Sequence, residues 1–117
     1  MKSDTKVLII GAGPSGIFCA FQLLRMGYLG KIVLVDRGNK VEDRYCPKTD
    51  TGKCLKCKKC AVTLGVSGSG AFSDGKLSLS CDVGGDLPQL LGRDVVQDTI
   101  NYVDKISLNY GSVAIVE

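Results

Sequence analysis

Apolar positions change their spacing twice within the first 36 residues. "KVLII" at 6–10 carries four successive apolar residues after Lys6, three of them β-branched, which predicts a short buried strand. The spacing then becomes helical. Ile17, Ala20, Phe21 and Leu24 share one side, and Gly27 provides a stop, so a helix is predicted over 15–27. "KIVLVD" at 31–36 returns to a β-branched strand. The glycine-rich "GAGPSG" at 11–16 joins the first strand to the helix. Strand, glycine turn, helix and strand together predict the opening of a parallel α/β sheet.

Further along, the pattern is weaker. Residues 37–75 are mostly polar and glycine-rich and predict irregular structure. "KLSLS" at 76–80 alternates and predicts an edge strand, and "DLPQLLG" at 86–92 predicts one or two helical turns. Residues 93–109 predict a longer helix, with Val96, Ile100, Val103 and Ile106 on one side and Gly111 just beyond. "GSVAIVE" then opens another apolar run, which predicts the start of a further strand and reads as a piece of a longer protein. The expected organisation is a βαβ unit over 1–36, a Cys/Lys-rich segment over 37–64, a glycine-rich loop and strand over 65–81, and a helix with the next strand over 86–117. The fold class this predicts is α/β, with an incomplete Rossmann-like βαβ start.

Composition narrows the chemistry. The chain has 117 residues, enough for one small domain, and its 15 basic and 12 acidic residues leave a net charge of only +3. Neither a nucleic-acid partner nor a membrane surface is indicated by that balance. Histidine is absent, which removes imidazole catalysis and imidazole metal ligands. Residues 7–24 carry no charge, but Gly11, Gly13, Pro14 and Gly16 interrupt them and Gln22 sits inside, so a membrane helix is not expected. Asp4 precedes the apolar run and no small-residue cleavage site follows it, so a cytoplasmic location is expected.

The turn "GAGPSG" has the spacing of a dinucleotide-binding loop. Gly11 would allow the tight turn, Gly13 the approach of a pyrophosphate to backbone, and Gly16 the close packing of helix on strand. Ala12, Pro14 and Ser15 complete the loop, and amides at the helix start would face the phosphates. Asp36 ends the second strand 20 residues after Gly16, where an acid accepts the ribose hydroxyls of an adenosine. It also argues against a 2′-phosphate, although the neighbouring Arg37 weakens that argument. FAD and NAD both use such a turn, and its position at the start of the chain favours FAD. The other reading is a βα turn with no ligand.

Residues 65–76, "GVSGSGAFSDGK", interleave four glycines with Ser67, Ser69, Ser73 and Asp74. They form either a backbone cradle or a plain surface loop. Together with "KVLIIGAGPSG", "VLVDRG", "RYCP" and "GKCLKCKKC", the stretch "GSGAFSDGKLSLS" resembles the uncharacterised bacterial FAD-dependent dehydrogenases of the glutathione-reductase-like flavoprotein superfamily. The resemblance covers most of residues 6–92, and "SGAFSDGKL" is its most specific part. It implies a doubly wound FAD domain, with Gly11, Gly13 and Gly16 at the pyrophosphate and Asp36 at the ribose. It places Gly68, Gly70, Ala71, Phe72, Ser73, Asp74, Gly75 and Lys76 at the middle or flavin end of FAD, and Arg44 near the cofactor. The family pattern carries glycine where Ser67 or Ser69 stands here. Proteins of that family are several times longer, so the 117 residues alone are expected to be inactive, and their substrate or electron carrier is not legible.

The cysteines pose a separate question. Cys46, Cys54, Cys57 and Cys60 lie within fifteen residues, spaced C-P-x6-C-x2-C-x2-C. Such a run supplies corners of a [4Fe–4S] cluster, with the Cys-Pro in reversed order, or the ligands of a zinc site. Redox dithiol chemistry and no ligand at all are the other readings. Five lysines against one aspartate over 48–59 would favour thiolates in every case. Cys19 on the first helix is expected to be a small buried residue, and Cys81 has no partner at motif spacing. The favoured function is the amino-terminal FAD-binding part of an oxidoreductase, coupled to an iron–sulfur cluster. The alternatives are a zinc-stabilised, non-catalytic binding module and an NAD-dependent Rossmann enzyme.

Overall fold

The structure is a computed structural model, and it describes residues 6–73 and 75–112. The chain divides into two compact units, Met1–Ser73 and Asp74–Glu117.

The first unit opens with strand β1 (Lys6–Ile10), helix α1 (Pro14–Arg25) and strand β2 (Lys31–Val35). The strands pair in parallel, with Leu8 opposite Val33 and Ile10 opposite Val35, so the chain must cross over between them through α1. The helix begins where Pro14 fills its first turn, where a missing N–H costs nothing. It ends at Arg25, and Gly27 then takes φ +79° to turn the chain back toward β2. The more covered side of α1 carries Gly16, Ile17, Ala20 and Leu23. Phe21 and Leu24, expected on that side, are exposed (44% and 61%). Cys19 is exposed as well, which corrects its expected burial. It lies about 200° around the helix from Ile17 at roughly 100° per residue, away from the covered stripe.

Both strands leave apolar surface open. Leu8 and Ile10 are 59% and 82% exposed, and in β2 Leu34 and Val35 are also uncovered. β1 therefore alternates with one face against α1 and the other bare, which is not the pattern of a strand buried on both faces.

After β2 the chain makes a 3-10 turn at Val41–Asp43 and a short helix, α2 (Lys48–Thr51). Gly52 ends α2 at φ +69°. A second 3-10 turn spans Gly68–Phe72.

The second unit holds helices α3 (Leu87–Leu91) and α4 (Arg93–Asn109), joined at Gly92. Val96 is its buried position on α4, at 8% exposure, and Cys81 is buried too, at 6%. The Gln97 side chain donates to the Leu79 carbonyl at 2.9 Å and accepts from the Cys81 amide at 3.3 Å. Arg93 grips both carboxylate oxygens of Asp82, at 2.7 and 3.0 Å, and so holds that carboxyl below its usual range. These bonds explain why 76–80 is not the predicted edge strand. The segment satisfies part of its backbone on α4 side chains, and Leu77 and Leu79 stay half exposed. The predicted strand at the end of the chain lies outside the described residues beyond Ser112.

The architecture is thus mixed α/β, with a two-stranded parallel sheet and four α-helices among the described residues. No helix among them is long and apolar enough to cross a membrane.

Candidate functional site

The two glycine stretches meet. The parallel ladder runs one residue past β1, because the Gly11 amide donates to the Val35 carbonyl at 2.7 Å. Gly11 then turns at φ +105°, a conformation that side chains resist. The next residue, Ala12, is nearly fully buried (2% exposed) and is bonded on both sides. Its amide donates to Asp36 Oδ2 at 2.9 Å, and its carbonyl accepts from the Ser67 amide at 2.7 Å. Through that second bond the loop at 65–72 is laid against the turn at 11–16. A Cβ on Gly68 would stand 3.4 Å from Gly13 Cα and 3.5 Å from Pro14 Cδ, and one on Gly70 would meet Pro14 Cγ at 4.0 Å.

The three glycines of the turn differ in what surrounds them. A Cβ on Gly16 would run into the Gly11 carbonyl oxygen, with Ile9 Cγ2 at 3.3 Å, so Gly16 is where helix and strand pack backbone to side chain. A Cβ on Gly13 would meet nothing within 4 Å. Gly13 therefore faces open space beside the helix start, where α-helical geometry leaves the Ser15 and Gly16 amides without an i−4 acceptor. An anion placed there would meet these amides and the positive end of α1.

Asp36 ends up as part of the scaffold. Its carboxylate accepts from the Gly38 amide at 2.8 Å and from Ala12, and these bonds hold its pKa below the ordinary 3.8, with the Gly65 amide and the Arg44 charge adding to the effect. A carboxylate has room for about four hydrogen bonds. The clamp on the turn is therefore compatible with a ribose contact. Arg37 beside it is exposed.

Among the described residues Arg44 is the buried charged side chain, at 6% exposure. Nε donates to the Ala61 carbonyl at 2.8 Å, Nη2 to Val62 at 2.8 Å and Nη1 to Val66 at 2.6 Å. Its guanidinium carbon lies 4.8 Å from the centre of the Phe72 ring. Arg44 thus organises the loop that carries Ser67 and Gly68. Gly65 makes room for it, and Gly38 makes room for Gly65. A Cβ on Gly65 would press on Asn39 O at 2.5 Å and Arg44 Cδ at 2.8 Å, and one on Gly38 would meet Gly65 Cα at 2.5 Å. Gly38 and Gly65 are structural members of this junction that sequence reasoning passed over. The signal was present in "DRG" and in the first glycine of the second stretch.

Of the loop that the resemblance places on FAD, Gly68–Ser73 lies in the first unit, Asp74 is outside the described residues, and Gly75 and Lys76 belong to the second unit.

The cysteines do not come together. Cys46 precedes α2, and the bend expected between it and Cys54 is present at Pro47–Gly52. Cys54 and Cys57 are nevertheless exposed, Cys46 and Cys60 are half-buried, and all four are free thiols. Among the described residues no three Cys, Asp or Glu side chains are gathered as a metal would need. As placed, the thiols do not form a ligand set. Cys60 has hydrogen-bond donors close by in sequence. The Thr63 hydroxyl and the Thr63 and Val62 amides hydrogen-bond its sulfur and lower its pKa below 9.0. It borders a cleft of about 170 Å³, lined also by Asn39, Arg44, Tyr45 and Lys59, and that cleft is not on the glycine turn.

No family model matches the chain, and no solved structure matches it. An uncharacterized protein from Clostridium beijerinckii is 39% identical over 84 residues, a match covering 67% of this chain and 15% of that relative. The chain thus corresponds to a small part of the relative's length.

Proposed function

We propose that the chain is the amino-terminal, nucleotide-binding part of an FAD-dependent oxidoreductase. The observation that supports this best is the joining of the two glycine stretches around an open Gly13. The Ser67–Ala12 bond and the packing of Gly68 on Gly13 and Pro14 build one wall of backbone beside the start of α1. A pyrophosphate there would be held by backbone amides, while Asp36 at the end of β2 would take the adenosine ribose. This reading takes the sheet to be the start of a Rossmann-like domain. The bare faces of β1 and β2 are consistent with a larger core that more chain would complete.

Bound FAD would supply an acceptor for two electrons from a small-molecule substrate or carrier. The residues described here would bind and orient it. The choice of FAD over NAD rests on the resemblance of "GSGAFSDGKLSLS" and on the use of the second glycine stretch, which an NAD turn does not require. A four-cysteine iron–sulfur or zinc site on Cys46, Cys54, Cys57 and Cys60 is a separate proposal. The oxidoreductase reading stands without it, since the thiols as placed do not form such a site. Equilibrium binding of FAD and NAD to the complete protein, followed by fluorescence, tests the reading. Tight binding of FAD alone is expected, and binding of NAD alone would replace it.

A further inference from the structure

We infer that Arg44 is a positioning residue for the nucleotide turn and does not itself contact the cofactor. The inference rests on the dinucleotide-site reading above, and the geometry behind it is independent of any ligand. Arg44 is buried, and Nε and both terminal nitrogens already serve backbone carbonyls of Ala61, Val62 and Val66. Val66 is adjacent to Ser67, whose amide holds the Ala12 carbonyl at 2.7 Å in the turn itself. The Val66 amide is in turn held by the Asn39 carbonyl at 3.1 Å, just past Asp36 and Gly38. Arg44 therefore braces a closed circuit of backbone running from the end of β2 through 61–68 to the glycine turn. Phe72, further along the same loop, lies against the guanidinium face. All three guanidinium nitrogens of Arg44 are engaged by carbonyls, and its burial keeps the remaining N–H groups off the open side of Gly13.

The fork matters more than the charge. Lysine carries the same charge on a compact ammonium and cannot span three carbonyls in this planar arrangement. The substitutions R44K and R44Q therefore separate a brace from a direct phosphate contact. In the first case both should fail alike, and in the second Lys should retain much of the binding.

The experiment uses the complete protein, at a temperature where far-ultraviolet circular dichroism shows all three forms folded. Hydrogen exchange read by mass spectrometry is measured without cofactor, and FAD affinity by fluorescence. In both variants exchange should quicken about tenfold or more over 61–68, and also over 11–17, with the later turns of α1 unchanged. FAD should bind about tenfold or more weakly to R44K and R44Q alike. Unchanged exchange over 11–17 would overturn the inference. So would near-normal FAD affinity in R44K beside a large loss in R44Q. If the unaltered protein takes up no FAD, the dinucleotide reading fails, and the exchange data alone still decide whether Arg44 braces the turn.

Discussion

Gly13 and Gly16 lie three residues apart in one turn, and the structure assigns them opposite sensitivities to a single methyl group. At Gly16 a Cβ would collide with the Gly11 carbonyl oxygen, with the carbonyl carbon at 3.1 Å and Ile9 Cγ2 at 3.3 Å. Two of these three neighbours are backbone atoms, which cannot rotate away as a side-chain tip can. Overpacking generally costs about 1–3 kcal/mol, and a backbone clash belongs at or above the upper end. A loss of about 3 kcal/mol is a large part of the 5–15 kcal/mol that holds a typical domain together. At Gly13 the added methyl meets nothing within 4 Å, and the backbone is extended (φ −74°, ψ −178°), so any residue can adopt it. Loss of the favourable glycine at the helix N-cap costs roughly 0.5–1 kcal/mol, and the reduced entropy of the unfolded chain returns about 0.4–1 kcal/mol. Gly13→Ala should thus be close to neutral in cofactor-free protein and Gly16→Ala severe. Urea denaturation of the complete protein without cofactor measures the difference. FAD titration supplies the other half, since a methyl on the open side of Gly13 stands where the pyrophosphate would lie and should weaken binding more than about tenfold. Comparable stability losses in the two variants, or Gly13→Ala binding FAD normally, would refute the reasoning.

Asp36 makes stability depend on acid. Its pKa is lowered in the fold, chiefly by the Gly38 and Ala12 amides, so its contribution is complete above the unfolded value near 3.8 and fades as pH falls through the lower folded value. Urea midpoints should drop on that acid limb, and Asp36→Asn should flatten the limb while weakening FAD binding. Cys60, lowered by Thr63 and Val62, should be alkylated only at a higher pH once Thr63→Val removes the hydroxyl on its sulfur, as read by mass spectrometry of iodoacetamide-labelled peptides. An unchanged pH profile for Cys60 in Thr63→Val would contradict the hydrogen bonding seen at its sulfur.

The βαβ opening was legible because local pattern and tertiary role agree there. β1, β2 and α4 fall within a residue of the expected bounds, and α1 within two. The glycine turn was equally legible, since its φ at Gly11 and its crowding at Gly16 are what the spacing implies. What could not be read were the long-range bonds. Nothing local says that Ser67 will bond Ala12, or that Arg44 will spend its fork on carbonyls 17–22 residues away. Nor could the pattern tell that Asp36 would clamp the turn through the Ala12 amide, although its short side chain keeps the carboxylate near the backbone. The alternation at 76–80 misled because alternation does not provide a strand with a partner. The cysteine spacing describes which ligand sets are reachable, and reach alone does not draw four thiols together among five lysines.

The central claim is that this turn belongs to a flavin site. An absorbance spectrum of the complete protein, purified without oxygen, tests it most directly. Flavin bands are expected, with FAD, identified by its adenine and pyrophosphate, released on acid denaturation. Iron–sulfur absorption beside them would add the cysteine cluster, and flavin bands alone would rule that cluster out, leaving zinc, which is silent in absorbance, to elemental analysis. A colourless protein that takes up no FAD when the cofactor is added would contradict the account.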